Sequence, residues 1–145
     1  MNKWTTCCGV GALTIALCLI GSSGAFAEVI GLKANLKASE EVPPNNSSGT
    51  GTLQATYDTT TKQLTYNVDY SGLTGNATMA HFHGPAEPGK NASVVVPVKG
   101  SVASPIKGSA TLTDAQATDL LADKWYFNIH TEANKGGEIR GQVTK

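Results

Sequence analysis

Leu64-Thr65-Tyr66-Asn67-Val68-Asp69-Tyr70-Ser71 alternates apolar and polar residues without a break. A strand turns successive side chains to opposite faces, so this run builds a strand with one buried and one wet face. Leu53, Ala55 and Tyr57 repeat the pattern just before it, as do Leu32, Ala34 and Leu36 earlier. Asp58-Thr59-Thr60-Thr61-Lys62 joins the two later runs and reads as a hairpin loop. Further strands are expected at Ala77–His83, Val94–Val98, Lys107–Leu112, Trp125–Thr131 and Glu138–Val143. Turn-forming groups separate them: Pro43-Pro44-Asn45-Asn46, Gly84-Pro85, Pro88-Gly89-Lys90-Asn91 and Asn134-Lys135-Gly136-Gly137. One helix interrupts the alternation. Thr113-Asp114-Ala115-Gln116 is a capping box, and Ala117, Leu120 and Leu121 share one face before an end near Asp123. About eight short strands and one short helix predict an all-β Greek-key sandwich or barrel. Pro43–Gly51 carries no strand pattern and is expected to be a mobile segment.

The start of the chain reads differently. Lys3 gives the first residues a positive charge, Val10–Ile20 is apolar, and Gly21-Ser22-Ser23-Gly24 ends that run. Ala25-Phe26-Ala27 places small residues where a signal peptidase reads them, so residues 1–27 are expected to be a signal peptide cleaved before Glu28. The apolar run is too short for a membrane span. Lipidation at Cys18 is the other reading of this segment, but Leu17 stands where a small residue is needed. Residues 28–145 then form a single domain in a secreted or periplasmic protein. Cys7, Cys8 and Cys18 all lie in the leader, so the domain has no disulfide, no thiolate nucleophile and no thiolate ligand.

Composition excludes several classes. The 145 residues hold 11 basic and 11 acidic side chains with no cluster of Lys or Arg, which argues against a nucleic-acid partner. Neither a Walker loop nor a GxGxxG turn is present, and no Ser sits in a GxSxG turn. Glu40 and Glu41 would point to opposite faces of an extended chain, a poor arrangement for glycoside hydrolysis. Glu41 reads as a structural acceptor before the Pro-Pro turn. Asn45, Asn46, Asn76 and Asn91 each begin an Asn-x-Ser/Thr triplet, which matters only in a host that glycosylates exported proteins. Trp125 and Phe127 are expected to pack in the core rather than form a sugar platform.

The three histidines fall at two places, His81-Phe82-His83 and Asn128-Ile129-His130-Thr131. Strand periodicity puts His81 and His83 on one face, their Cα atoms about 6.5–7 Å apart at a rise of roughly 3.3 Å per residue. With His130 from an adjacent strand they could complete a three-nitrogen metal site with an open position. Met79 shares the strand face of His81. Its thioether would favour copper as a fourth ligand, and core filling is its other reading. The competing account is a metal-free hydrogen-bonded network. Glu138, Arg140 and Gln142 alternate on one strand and Tyr126, Asn128 and His130 on another, so pairing would set them side by side. In the metal reading, Glu138 and Arg140 are candidates to support the ligands, with Glu138 orienting an imidazole.

At these residues the sequence resembles the CHRD domain, a module named for chordin and also found as stand-alone exported bacterial proteins. Four segments carry the resemblance: Glu41-Val42-Pro43-Pro44, Ala80-His81-Phe82-His83-Gly84-Pro85-Ala86, Tyr126-Phe127-Asn128-Ile129-His130-Thr131 and Gly137-Glu138-Ile139-Arg140-Gly141-Gln142. They span about Gly31 to Val143. The resemblance implies an immunoglobulin-like or copper–zinc superoxide dismutase-like β-sandwich and says little about activity. The dismutases also use a His-x-His pair plus a later strand His for copper. This chain has no fourth His to bridge two metals and no cysteine pair in the domain, so a mononuclear site is the most that can transfer.

Three functions follow as expectations. The first is a non-enzymatic protein that binds one transition-metal ion, copper before zinc, through His81, His83 and His130, with Met79 as a fourth donor and metal handling as its role. The second is a structural or adhesive module with a protein partner, held by an edge strand or the Pro43–Gly51 loop, whose histidines only stabilise the fold. The third is an enzyme working at the open metal position.

Overall fold

The computed structural model describes residues 28–145. The leader expected over residues 1–27, with Cys18, lies outside the described residues. Eight strands follow in chain order: β1 (Val29–Lys37), β2 (Thr50–Asp58), β3 (Gln63–Ser71), β4 (Ala77–His83), β5 (Val94–Pro97), β6 (Ile106–Thr111), β7 (Trp125–Thr131) and β8 (Ile139–Val143). A 3-10 turn occupies Ala38–Glu40 and one helix, α1, spans Asp114–Leu121. The strands form a single antiparallel sheet in the order β5-β4-β7-β8-β1-β2-β3-β6, nearly closed into a barrel. Closure would bring β5 beside β6, giving the spatial order β7-β4-β5-β6. That is a Greek key, in which the fourth strand returns to lie beside the first.

The alternating runs meet as their periodicity requires. Across β2 and β3, Leu53 faces Val68, Ala55 faces Tyr66 and Tyr57 faces Leu64. One continuous apolar surface results, and the loop between them is fixed by Asp58 Oδ1, which accepts the Thr60 and Thr61 N–H groups at 2.8 and 2.9 Å. Phe82 sits fully buried among three rings, with centroids of Phe127, Tyr66 and Trp125 at 4.8, 5.1 and 5.9 Å. Trp125 and Phe127 are therefore core residues, as expected. Met79 is not: 47 % of it is exposed, so it does not fill the core.

Helix α1 carries the capping box in full. Thr113 Oγ1 accepts the Gln116 N–H at 3.2 Å, and Gln116 Oε1 accepts the Thr113 N–H at 3.0 Å. Ala117 and Leu120 are buried. Gln116 Nε2 also donates to the Val95 carbonyl at 3.3 Å, so the helix start reaches the free edge of β5. The seam between the two edge strands remains a groove of about 410 Å³, lined among others by Val96, Ser109 and Ala110.

β7 departs from a simple wet-and-dry strand, since all seven of its residues are buried. Trp125, Phe127 and Ile129 join the core cluster. Tyr126, Asn128 and His130 alternate with them and are covered instead by loops folded over the outside of the sheet. Pro43–Gly51 is one of these covers, not a free segment. Asn45 Nδ2 donates to the Glu138 carbonyl at 3.0 Å and Ser47 Oγ donates to Glu138 Oε1 at 2.5 Å, which pins it to β8. The expected mobility fails because two long-range partners satisfy polar groups that sequence inspection leaves dangling.

Candidate metal centre

β4 and β7 are neighbours, and their register decides the site. Met79 lies opposite His130, His81 opposite Asn128 and His83 opposite Tyr126. The three imidazoles therefore gather on the outer face of two adjacent strands. One ring nitrogen from each lies within 4.8 Å of the others. His81 is half-buried, while His83 and His130 are buried.

The outer hydrogen bonds of the buried pair fix their tautomers. His83 Nδ1 lies 2.9 Å from the Ala92 carbonyl, and His130 Nδ1 lies 2.9 Å from the Lys135 carbonyl. A carbonyl only accepts, so each Nδ1 carries a proton and each neutral ring turns a bare Nε2 inward. Both Nε2 atoms lie 3.0 Å from Asn128 Oδ1, another acceptor. His81 Nδ1 lies 3.1 Å from His130 Nε2. Three lone pairs thus face one point, and a shift of the His81 proton to its Nε2 adds a fourth. Metal-bound histidines ordinarily show this arrangement, with the remote nitrogen donating to a carbonyl.

Electrostatics keep His81 and His83 neutral. Burial, then the neighbouring His130 and His83, bring His81 down to about 4. Burial also lowers His83, outweighing its hydrogen bonds. Both rings are therefore unprotonated near neutral pH and ready to donate lone pairs.

The support around the site differs from the sequence expectation. Glu138 touches no histidine. It is fully buried and accepts from Ser47, Thr131 and Thr74, including the Thr74 N–H at 2.7 Å. Burial alone would raise its pKa, but these hydrogen bonds prevail and hold it near about 2. It clamps loops rather than orienting an imidazole, because its two carboxylate oxygens are taken by Ser47, Thr74 and Thr131. Arg140 is nearer. Its guanidinium lies 3.4 Å from the centroid of Tyr126, whose ring stacks on His83 at 4.7 Å and 3°. Its Nη1 and Nη2 donate to Asn91 Oδ1 and the Lys90 carbonyl, fastening the loop that supplies Ala92.

The sequence reading placed Asn128 only in the hydrogen-bonded network and left Glu41 as an acceptor before the Pro-Pro turn, naming neither as part of a metal site. Asn128 shares a strand face with His130 two positions away, the one signal that would have marked it. Glu41 is buried, and its Oε1 has no hydrogen-bond partner. Its carboxyl faces the Asn128 amide and is drawn toward ionisation by Arg140, yet burial dominates and pushes it up to about 7.

A surface depression of about 690 Å³ lies elsewhere, on β1, β2, β3 and β6. Lys33, Lys107 and Lys145 border it and no histidine or carboxylate does, so it offers no ligand set. Among the described residues no helix is long and apolar enough to cross a membrane. The sequence model of the CHRD domain matches residues 32–143. No curated protein and no solved structure matches the chain.

Proposed function

This chain belongs to the CHRD domain family, and from that premise we propose that it is an exported protein that binds one transition-metal ion through His81, His83 and His130. The observation that carries this reading is the convergence of three imidazoles, two of which hold a proton on the far nitrogen, against a backbone carbonyl. A cation taken up among them would replace the contacts between lone pairs with bonds. Copper is preferred over zinc, since divalent copper binds a given nitrogen and oxygen donor set more tightly. Met79, exposed and opposite His130 in the ladder, is placed to add its thioether when the ion is cuprous. Half-buried His81 gives the ion a route to solvent, which suits uptake and release better than a sealed structural site. The signal-like pattern read in the sequence of residues 1–27 supports placing that metal handling in the periplasm or the exterior.

The test is calorimetric titration of the chain from Glu28, stripped of metal, with Cu(II), Cu(I) and Zn(II), beside His81→Ala and His130→Ala. One ion per chain is expected, with binding lost in both variants. No binding by the parent protein, with the variants merely less stable, makes the histidines a fold-stabilising network and turns the search to a protein partner.

A further inference from the structure

Asn128 is held between the imidazoles in a way that a three-histidine site does not require. Its Oδ1 lies 3.0 Å from both His83 Nε2 and His130 Nε2. Those two nitrogens carry no proton in the neutral rings, so the amide oxygen adds a lone pair to a place already crowded with them. An amide has an alternative: turned over, its NH2 would donate to both nitrogens and close a metal-free network. Glu41 opposes that turn. Its Oε1 and Asn128 Nδ2 border the same spot beside Gly137, so the carboxylate stands at the NH2 end of the amide, where an N–H is attracted and a C=O repelled. Gly137 permits the approach, since a Cβ there would run into both Glu41 Oε1 and Asn128 Nδ2.

We infer that Asn128 Oδ1 is a fourth, oxygen ligand of the metal site and that Glu41 is the positioning residue that keeps this oxygen turned toward the ion. The inference rests on the three-histidine reading and adds to it a hard donor. Three imidazoles and an amide oxygen form a set for a divalent ion, Cu(II) or Zn(II), whereas Cu(I), which prefers sulfur, would turn to Met79 in place of the amide. The site would then discriminate by oxidation state: the amide serves the divalent ion, and reduction would leave the oxygen a weak partner.

The experiment compares Asn128→Leu, Asn128→Asp and Glu41→Gln at pH 8, with folding checked by circular dichroism. Each is titrated with Cu(II) in competition with a chelator, and its Cu(II) paramagnetic resonance spectrum is recorded. Asn128→Leu is expected to keep one ion per chain, to bind it at least tenfold more weakly and to change the spectrum. Asn128→Asp keeps an oxygen and is expected to bind as tightly as the parent or tighter. Glu41→Gln should weaken binding about tenfold, the scale found for residues that orient ligands. Placing Glu41→Gln on Asn128→Asp should remove most of that loss, because a carboxylate presents an oxygen either way up. Unchanged affinity and spectrum in Asn128→Leu, while His81→Ala abolishes binding, would overturn the oxygen ligand and leave the three-histidine site standing. An effect of Glu41→Gln that persists undiminished on Asn128→Asp overturns the positioning role. Absence of binding in the parent protein removes both readings together.

Discussion

Gly137 shows how much one residue can control here. Its φ of +131° belongs to a region that side chains rarely occupy, and it lies where the Glu41 carboxyl meets the Asn128 amide. Gly137→Ala is expected to lower stability by about 1–3 kcal/mol, the usual cost of strained backbone. The same change should weaken metal binding, because it pushes Glu41 and Asn128 apart; denaturant unfolding and copper titration measure the two effects separately. Phe82→Ala tests the opposite kind of residue, a ring sealed among three others. Its loss should cost about 3–5 kcal/mol in denaturant unfolding. At this scale the histidines were legible. Period two puts His81 and His83 on one face, and His130 is the only other histidine in the chain. The face of Asn128 was legible too, but not its contact with two imidazoles, nor the place of Glu41, since an amide on a strand and a carboxylate before a turn look the same whether they meet a ligand or water.

The elements hold the site through loops that cross back over the sheet. Glu138 joins two of them to the end of β7, taking hydrogen bonds from Ser47, Thr74 and Thr131. These hydrogen bonds outweigh burial and hold its carboxyl down to about 2, below the ordinary 4.5, so its contribution to stability is complete above about 4.5. That contribution disappears as pH falls from there through about 2. The parent protein should therefore lose more of its denaturant midpoint between those pH values than Glu138→Gln, and parallel unfolding curves read the difference. Helix α1 offers a separate check. Thr113→Ala removes one arm of the capping box and should cost about 1 kcal/mol in thermal unfolding. Element identity was readable almost throughout: β4 and β7 begin and end where alternation and turn residues place them. The cover over β7 was not, because a strand wet by its pattern becomes buried only when distant segments fold across it.

For the molecule as a whole, the absence of cysteine from residues 28–145 leaves stability to the core and to bound ligands. Metal that binds only the folded state should stabilise it by about 2.7 kcal/mol at a hundredfold excess over Kd. In a domain of this size that corresponds to a rise in Tm on the order of 10 °C. Thermal scans with and without Cu(II) should show it in the parent protein and not in His81→Ala, and a reducing agent inert toward copper should leave the apo-protein's Tm unchanged. The barrel itself is assembled from distant pairings: β1 meets β8, and β3 meets β6. Such long-range pairing makes folding slow relative to helical domains.

The sequence by itself determined the all-β class, the strand positions, the helix with its cap and the histidines available as ligands. Each follows from local rules: side chains alternate along a strand, a capping box starts a helix, and residue type limits donor chemistry. Tertiary structure alone decided which strands adjoin, that Met79 stands at the surface, and that Glu138 clamps loops while Asn128 meets the imidazoles. Those outcomes depend on β4–β7 register and on carbonyls from Ala92 and Lys135, which reach the rings only after two loops close over the sheet. Alternation tells each side chain which face it takes; only the packed barrel tells it what waits there.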